Sequence, residues 1–189
     1  MDEAFPGDII GLVNPGEFRL GDTICEGNPV QFEPLPQFSP ENFSIVQCRN
    51  IERRKQFRRG LEQLLEEGAI HMFADPSARR RQPMVAAVGE LQFDVVRFRL
   101  KSEYDTPIDI SWLPYKTARW VDLDADQLLS QRLPYSAKIV LDQFGHTAVL
   151  FETQWDADCA ERDNPAVRFS AIRAMNSSAS TPRQPVFAW

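Results

Sequence analysis

Residues that could carry catalysis are scarce in this chain of 189 residues. The two histidines, His71 and His146, sit inside or beside predicted strands, and neither belongs to an HExxH zinc motif. The glycine-rich loops that cradle phosphates, GxxxxGKS/T and GxGxxG, do not occur in the sequence. No serine or cysteine has a partner base identifiable from the neighbouring sequence. We therefore expect structural histidines, no catalytic residue and no metal site.

The clearest group of carboxylates is Asp122, Asp124 and Asp126, whose alternate spacing resembles the start of a calcium-binding loop. The glycine and the closing glutamate that such a loop requires do not follow. We interpret the group as capping residues at the start of a helix, where the helix dipole favours negative charge. The cysteines are widely spaced and lack CxxC pairs, which argues against a disulfide framework and a zinc site: Cys25, Cys48 and Cys159.

Basic side chains are the remaining candidates for a binding surface. The net charge is −6, so any attraction for nucleic acid must be local. One cluster lies on a predicted helix and the other in a predicted loop: Arg53, Arg54, Lys55, Arg58 and Arg59, and Arg79, Arg80 and Arg81. Both are candidates for contacts with RNA phosphates. The alternative is a solvated helix face, balanced by Glu62, Glu66 and Glu67, together with an ordinary exposed loop.

The overall composition is that of a globular protein, with 43% hydrophobic and 25% charged residues. No apolar run approaches the roughly 20 residues that a helix needs to span a bilayer. The N-terminus lacks the basic flank and apolar core of a signal peptide. We expect a soluble, cytoplasmic protein without a membrane partner.

The basic helix belongs to a β-α-β-β-α-β succession. Strands are expected at residues 43–48, 69–73, 84–88 and 108–112. The first helix has Asn50 as its expected N-cap and Gly68 as its C-terminal stop. Its buried face is expected to carry Phe57, Leu61, Leu64 and Leu65. This order is typical of the ferredoxin-like group of the α+β class, which has both helices on one face of an antiparallel sheet.

The second helix of this succession is predicted from about residue 90 to residue 104. Two sets of apolar residues follow its helical period: Leu91, Val95 and Phe98, and next to them Phe93, Val96 and Leu100. We expect the first set to be buried, so that Val95→Asp would unfold the domain by placing an unpaired charge in the core.

The remaining chain repeats the theme with shorter helices. Strands are expected at residues 117–121, 137–141, 147–151 and 167–171, and helices at 124–131 and 156–162. Before the domain, residues 5–27 alternate short strands with turns, including strands at 9–13, 17–20 and 23–25. They form either an N-terminal hairpin or the end of a β-barrel. Residues 28–42 hold four prolines and form an extended linker. The tail, residues 173–189, is expected to be disordered.

Several segments resemble one protein family. The run FPGDIIGLVNPGEFRLGDTI is similar to the end of the second, β-barrel domain of translational GTPases. Four later runs resemble the third domain of the bacterial peptide chain release factor three family: PQFSPENF, KQFRRGLEQLLEEGAIHMF, AAVGELQFDVVRFRLKSEY and TARWV. The resemblance covers about residues 4–170. It assigns residues 1–27 to the barrel domain, 28–42 to a linker and 43–172 to the third domain.

Members of that family are ribosome-dependent GTPases that recycle class I release factors after the finished peptide is released. The resemblance therefore implies a C-terminal, non-catalytic part of such a GTPase. It implies that this chain holds no cofactor, because the GTP site belongs to the family's N-terminal domain. The implied partners are the ribosome, through small-subunit protein and rRNA, class I release factors functionally, and the family's own G domain. The eight basic residues become candidate ribosome contacts.

Without the resemblance, the residues indicate only a free-standing ferredoxin-like module that binds RNA or protein. The tail beyond about residue 172 departs from the family and receives no role.

Overall fold

One eight-stranded sheet organises the chain, which the computed structural model describes at residues 3–13, 21–28, 30, 32, 36–77 and 83–174. The strands are β1 (Pro36–Phe38), β2 (Asn42–Cys48), β3 (His71–Ala74), β4 (Met84–Ala87), β5 (Ile108–Trp112), β6 (Thr117–Val121), β7 (Lys138–Asp142), β8 (Thr147–Phe151), β9 (Phe169–Ser170) and β10 (Ile172–Ala174). The helices are α1 (Arg54–Glu66), α2 (Leu91–Ser102), α3 (Ala125–Leu128) and α4 (Gln154–Asp163), with a 3-10 turn Ile51–Arg53 before α1.

The order of the strands confirms the predicted α+β class and its repeat. The large sheet runs β5-β2-β4-β3-β7-β8-β6-β9, and every pairing is antiparallel. Counted from the β5 edge, the strands of the first half are the fourth, first, third and second strands of a split βαβ unit. Counted from the β9 edge, the strands of the second half follow the same order. The halves join where β3 pairs with β7, at Phe73 with Asp142 and Ala74 with Leu141.

Successive side chains of each strand enter different cores, as the two-residue period of a strand requires. In β4, Val85 belongs to the core formed with α1 and α2, whereas Met84 belongs to a core shared with the second half. In β8, Val149 contacts the core under α3 and α4, whereas Leu150 enters the shared core. The two halves therefore pack inner face to inner face, and their helices lie outside.

The first helix forms where the sequence predicts it. The Asn50 side chain accepts a hydrogen bond from the backbone nitrogen of Glu52 at 2.9 Å, which caps the preceding turn. Gly68 has a φ of 69°, and its nitrogen donates to the carbonyl of Leu65 at 3.0 Å. Glycine adopts this left-handed conformation without the steric cost of a Cβ atom, so α1 ends there.

The expected orientation of α2 is wrong. Leu91, Val95 and Phe98 are 79%, 51% and 70% exposed, and the buried residues are Phe93, Val96 and Leu100. Both sets satisfy the helical period, and they lie on roughly opposite sides of the helix. The contacts of the helix decide between them, because the Phe93 ring packs against Trp112 of β5 with 4.7 Å between centroids.

Two of the three strands predicted near the N-terminus are not formed. Residues 9–13 and 23–25 have no strand structure, and Ile9 and Val13 are 99% and 95% exposed. An isolated strand leaves its backbone groups without partners, so these segments need a neighbouring sheet to order them. The strand predicted at 17–20 lies outside the described residues.

The segments predicted as linker and tail meet at one short sheet. β1 lies within residues 28–42 and pairs antiparallel with β10, Phe38 opposite Ile172. The Ser39 hydroxyl accepts from the nitrogen of Ala118 and donates to its carbonyl, both at 2.9 Å, which fastens this segment to β6. Residues 175–189 lie outside the described residues.

Candidate functional site

The first basic cluster lies on the surface of α1 and of the 3-10 turn before it. Arg53 forms an ion pair with Asp105 at 2.7 Å, and Arg58 forms one with Glu62 at 2.7 Å. The other three cations are exposed, and no carboxylate among the described residues lies within salt-bridge distance of them: Arg54, Lys55 and Arg59. These three charges are therefore available to a partner.

The arrangement of these cations opposes the stability of the helix. Arg54 and Arg58 are four residues apart, as are Lys55 and Arg59, and like charges at this spacing repel. The positive end of a helix dipole lies at the N-terminus, so cations there are also disfavoured by a few tenths of a kcal/mol each. The first turn of α1 contains no acidic residue, and its last turn contains no basic residue. This distribution of charge therefore does not stabilise the helix.

The opposite side of α1 is fixed closely against α2. A Cβ atom added at Gly60 would lie 2.5 Å from Cδ2 of Leu100 and 2.9 Å from Cδ2 of Tyr104, so glycine permits the close approach. The Tyr104 hydroxyl also donates to the side-chain oxygen of Gln63. The helix that carries the cations is thus held in one position.

An ion-pair network fastens the C-terminal half of α1 to α2. The Arg99 guanidinium donates to the Glu67 carboxylate and, at 2.9 Å, to Glu103. These hydrogen bonds raise the pKa of Arg99, and the bond from Arg99 lowers the pKa of Glu67 below its ordinary value. The carboxylate at the C-terminal cap of α1 is therefore held by Arg99 of α2, while the basic N-terminal half of α1 faces solvent.

Comparison with known proteins decides the family. Residues 32–161 match the family described as "Class II release factor RF3, C-terminal domain". This chain belongs to the class II release factor RF3 family. The matched range contains α1, α2 and all strands from β1 to β8.

Curated relatives support the assignment to the RF3 family. The chain is 40% identical over 178 residues to "Peptide chain release factor 3" of Trichormus variabilis, covering 94% of this chain and 33% of the relative. It is 40% identical over 186 residues to the protein of the same name in Nostoc punctiforme, covering 98% and 34%. For Symbiobacterium thermophilum the identity is 41% over 172 residues, covering 90% and 32%. The chain therefore spans about a third of the length of these release factors.

The second basic cluster predicted in this RF3 family member is Arg79, Arg80 and Arg81. It lies outside the described residues, between β3 and β4. Its role stays a prediction.

The two histidines meet at a buried carboxylate that the sequence does not indicate. Asp142 is 1% exposed and accepts hydrogen bonds from the Trp120 indole at 3.1 Å and from the backbone nitrogen of His146 at 2.8 Å. Nδ1 of His146 lies 3.4 Å from the same carboxylate. Burial lowers the pKa of His71, and the charge of Asp142 partly opposes this effect. Sequence reasoning missed this cluster because its members come from four strands or turns.

The other predicted groups have local roles. Asp124 forms a capping box with Gln127 at the start of α3, and Asp126 lies in the first turn of that helix. The predicted capping role is therefore confirmed for Asp124. Cys25, Cys48 and Cys159 are free thiols. In the described ranges, no group of histidine, cysteine and carboxylate side chains is arranged to hold a metal ion. Over the same ranges, none of the helices combines the length and apolar character that crossing a membrane requires.

Arg119 is a buried charge that sequence reasoning did not single out. It is 8% exposed and donates to Glu161 at 3.1 Å, Gln154 at 3.0 Å and the Thr117 hydroxyl at 2.6 Å. A buried guanidinium is tolerated when its donors are paired. Arg119 therefore ties β6 to α4, and its role is structural.

Proposed function

We propose that this chain is a non-catalytic part of a peptide chain release factor GTPase and docks on the ribosome. The protein to which it belongs promotes dissociation of class I release factors during translation termination in the cytoplasm. The observation that carries the docking role is the exposed basic half of α1, with Arg54, Lys55 and Arg59 unpaired within the described residues.

Membership of the RF3 family and the electrostatics of α1 support the same surface. Ribosomal RNA presents phosphates, and lysine and arginine side chains bind them by displacing counterions. The cations lie on a regular helix whose opposite face is packed against α2, so their spacing is fixed. We assign to this face the rRNA of the small ribosomal subunit, together with the small-subunit protein next to it, as the partner. The loop with Arg79, Arg80 and Arg81 is a second contact in the proposal.

We further propose that this chain neither binds nor hydrolyses GTP. Its sequence contains no phosphate-binding loop motif. The test is to measure GTP turnover by the isolated chain after purification to constant specific activity. Any turnover that remains would contradict this part of the proposal.

Ribosome co-sedimentation over a range of salt concentrations tests the docking surface. We compare Lys55→Ala/Arg59→Ala with the control Lys116→Ala/Arg168→Ala, which removes one lysine and one arginine that are also exposed and unpaired in the described chain. The first variant should bind less and lower the slope of log affinity against log salt by about 1.5, because each phosphate contact contributes ~0.7–0.9. The control should leave both quantities close to wild type.

Two results would argue against the proposal. One is the absence of ribosome binding by the unmodified chain at low salt. The other is an equal loss of binding in both double variants, which would indicate unspecific attraction. Equal affinity for ribosomes and for an unrelated RNA of similar length would favour the alternative, a general RNA-binding module.

A further inference from the structure

The second half of the protein has an open cleft that the proposed ribosome contact does not use. It encloses about 300 Å³ between α4 and the loop that precedes β7. Trp155 and Cys159 of α4 form one wall, and Leu133 and Pro134 of the loop contribute to the other. The remaining lining residues are charged: Arg132, Asp156, Arg162 and Asp163. The cleft therefore combines apolar and charged side chains, and it lies on the outer helix layer of the second half.

The walls of the cleft are fastened to each other by a buried amide. Asn164 is 5% exposed, and its side-chain oxygen accepts from the nitrogen of Arg132 at 2.9 Å. Its side-chain nitrogen donates to the carbonyls of Arg132 at 2.9 Å and Ala160 at 2.7 Å. These bonds join the loop to the end of α4, so the cleft is formed before any ligand arrives and binding loses little conformational freedom.

One large aromatic side chain stands exposed at this cleft, and a second follows the cleft residue Pro134 in the chain. The Trp155 side chain lines it and is 71% exposed, and Tyr135, the residue after Pro134, is fully exposed. Tryptophan, tyrosine and arginine are the residues that most often dominate the binding energy of protein interfaces, particularly beside a pocket. The shape and composition of the cleft thus fit a protein segment that inserts one apolar side chain.

The charge around the cleft specifies the flanks of that segment. Helix α4 carries four carboxylates and one guanidinium. The guanidinium, Arg162, pairs with Asp163 at 3.0 Å. No cation among the described residues lies within salt-bridge distance of Asp156 or Asp158. A nucleic acid would be repelled by this helix, whereas lysine and arginine side chains would be attracted to it.

One cation lines the cleft without a carboxylate beside it in the described chain. The Arg132 guanidinium is exposed on the loop wall. Guanidinium groups donate hydrogen bonds and accept none, so Arg132 suits the main-chain carbonyls of a bound segment.

We propose that this cleft binds a segment of a partner protein in which one large apolar side chain is flanked by lysines or arginines. The apolar side chain contacts Trp155 and Pro134, and the flanking cations contact Asp156 and Asp158. This site lies on the half opposite to α1, and its existence does not depend on the proposed ribosome contact.

Nuclear magnetic resonance with synthetic peptides tests the site. The probe is a short lysine-rich peptide with one central phenylalanine, and the controls replace the phenylalanine with alanine or the lysines with glutamates. The chain has four tryptophans, and loss of one indole N–H signal in Trp155→Phe assigns the signal of Trp155. The lysine–phenylalanine peptide should shift the Trp155 signal and leave that of Trp120, which is buried and bonded to Asp142, unchanged.

Binding affinities then test the residues. Trp155→Ala should weaken peptide binding about tenfold or more, the effect typical of a truncated hot-spot side chain. Phe98→Ala is the matched control, because Phe98 is 70% exposed on the outer helix layer of the other half. Thermal melts should show that both variants remain folded. Asp158→Asn should weaken binding at low salt and lose this effect at high salt.

Three outcomes would overturn the proposal: no movement of the Trp155 signal with the lysine–phenylalanine peptide, equal binding by Trp155→Ala and wild type, or a shift of that signal by oligouridylate in place of the peptide. None of them affects the ribosome result for α1, which is measured on different variants. A failure of the α1 experiment likewise leaves the peptide experiment intact.

Discussion

Two adjacent valines in α2 should respond very differently to the same substitution. Val96 is fully buried, whereas Val95 is 51% exposed on the other side of the helix. In Val96→Ala the loss of two buried methyl groups costs about 1.6 kcal/mol of transfer free energy, and the cavity raises the total to about 2–3 kcal/mol. For a chain of this size each kcal/mol lowers the melting temperature by about 2–4 °C, so a fall of roughly 4–12 °C is expected.

The same reasoning gives almost no effect at the exposed position. Val95→Ala loses about half of that transfer free energy, ~0.8 kcal/mol, and leaves no closed cavity. Alanine also favours the helix over valine by about 0.5 kcal/mol, which offsets most of the loss. The melting temperature of Val95→Ala should therefore stay within about 2 °C of wild type.

Aspartate widens the contrast and tests the orientation of the helix directly. Val96→Asp places an unpaired carboxylate in the core at a cost of several kcal/mol, comparable with the total stability of about 5–15 kcal/mol, and should abolish folding. Val95→Asp should fold and melt cooperatively. Differential scanning calorimetry and circular dichroism measure both. If Val95→Asp unfolds while Val96→Asp survives, α2 is turned as the sequence pattern first suggests, and the assigned core is wrong.

Three further perturbations test the packing, the charge distribution and the partly buried histidine. Gly60→Ala should lower the melting temperature although alanine is the better helix former, because its Cβ would lie 2.5 Å from the Leu100 side chain. The expected cost of this overpacking is about 1–3 kcal/mol. An unchanged melting temperature would show that α1 and α2 separate easily. Lys55→Glu should melt at the same or a higher temperature, because it removes a charge that the helix dipole disfavours. The same variant should bind ribosomes less well. A loss of stability together with the loss of binding would show that Lys55 has a structural role. Because the folded-state pKa of His71 lies below its ordinary value of 6.5, the unfolded chain binds more protons just below that pH, so stability should fall as the pH drops through this range. Urea titrations of His71→Gln should show a shallower pH dependence, and an unaltered dependence would assign the effect to another group.

Local signals account for the elements that sequence analysis predicted correctly. The cap at Asn50 and the left-handed Gly68 are properties of single residues in short windows, and the structure confirms both. The fold class followed from the order of strands and helices, since the split βαβ unit permits few topologies. The predicted repeat followed in the same way.

Contacts between distant residues account for what the sequence did not predict. Helix α2 is apolar on two sides, so its period alone does not determine which side faces the sheet. Arg53 and Arg54 are equivalent in the sequence, but Asp105 on a later loop neutralises only Arg53. The cleft depends on Asn164 and Arg132, which are 32 residues apart. Pattern analysis identifies charged and apolar residues, whereas the fold decides which of them remain available.

The repeated topology explains how one domain can present two different surfaces. The halves share their inner faces, and that shared core constrains β2, β3 and β4 as much as β6, β7 and β8. The outer helices are free of this constraint, and two of them differ in charge: α1 carries four cations and two carboxylates, whereas α4 carries four carboxylates and one cation. A patch of one sign selects partners of the other sign and repels the rest. If α1 binds phosphates and α4 binds basic protein segments, as we propose, variants of the two helices should affect binding independently.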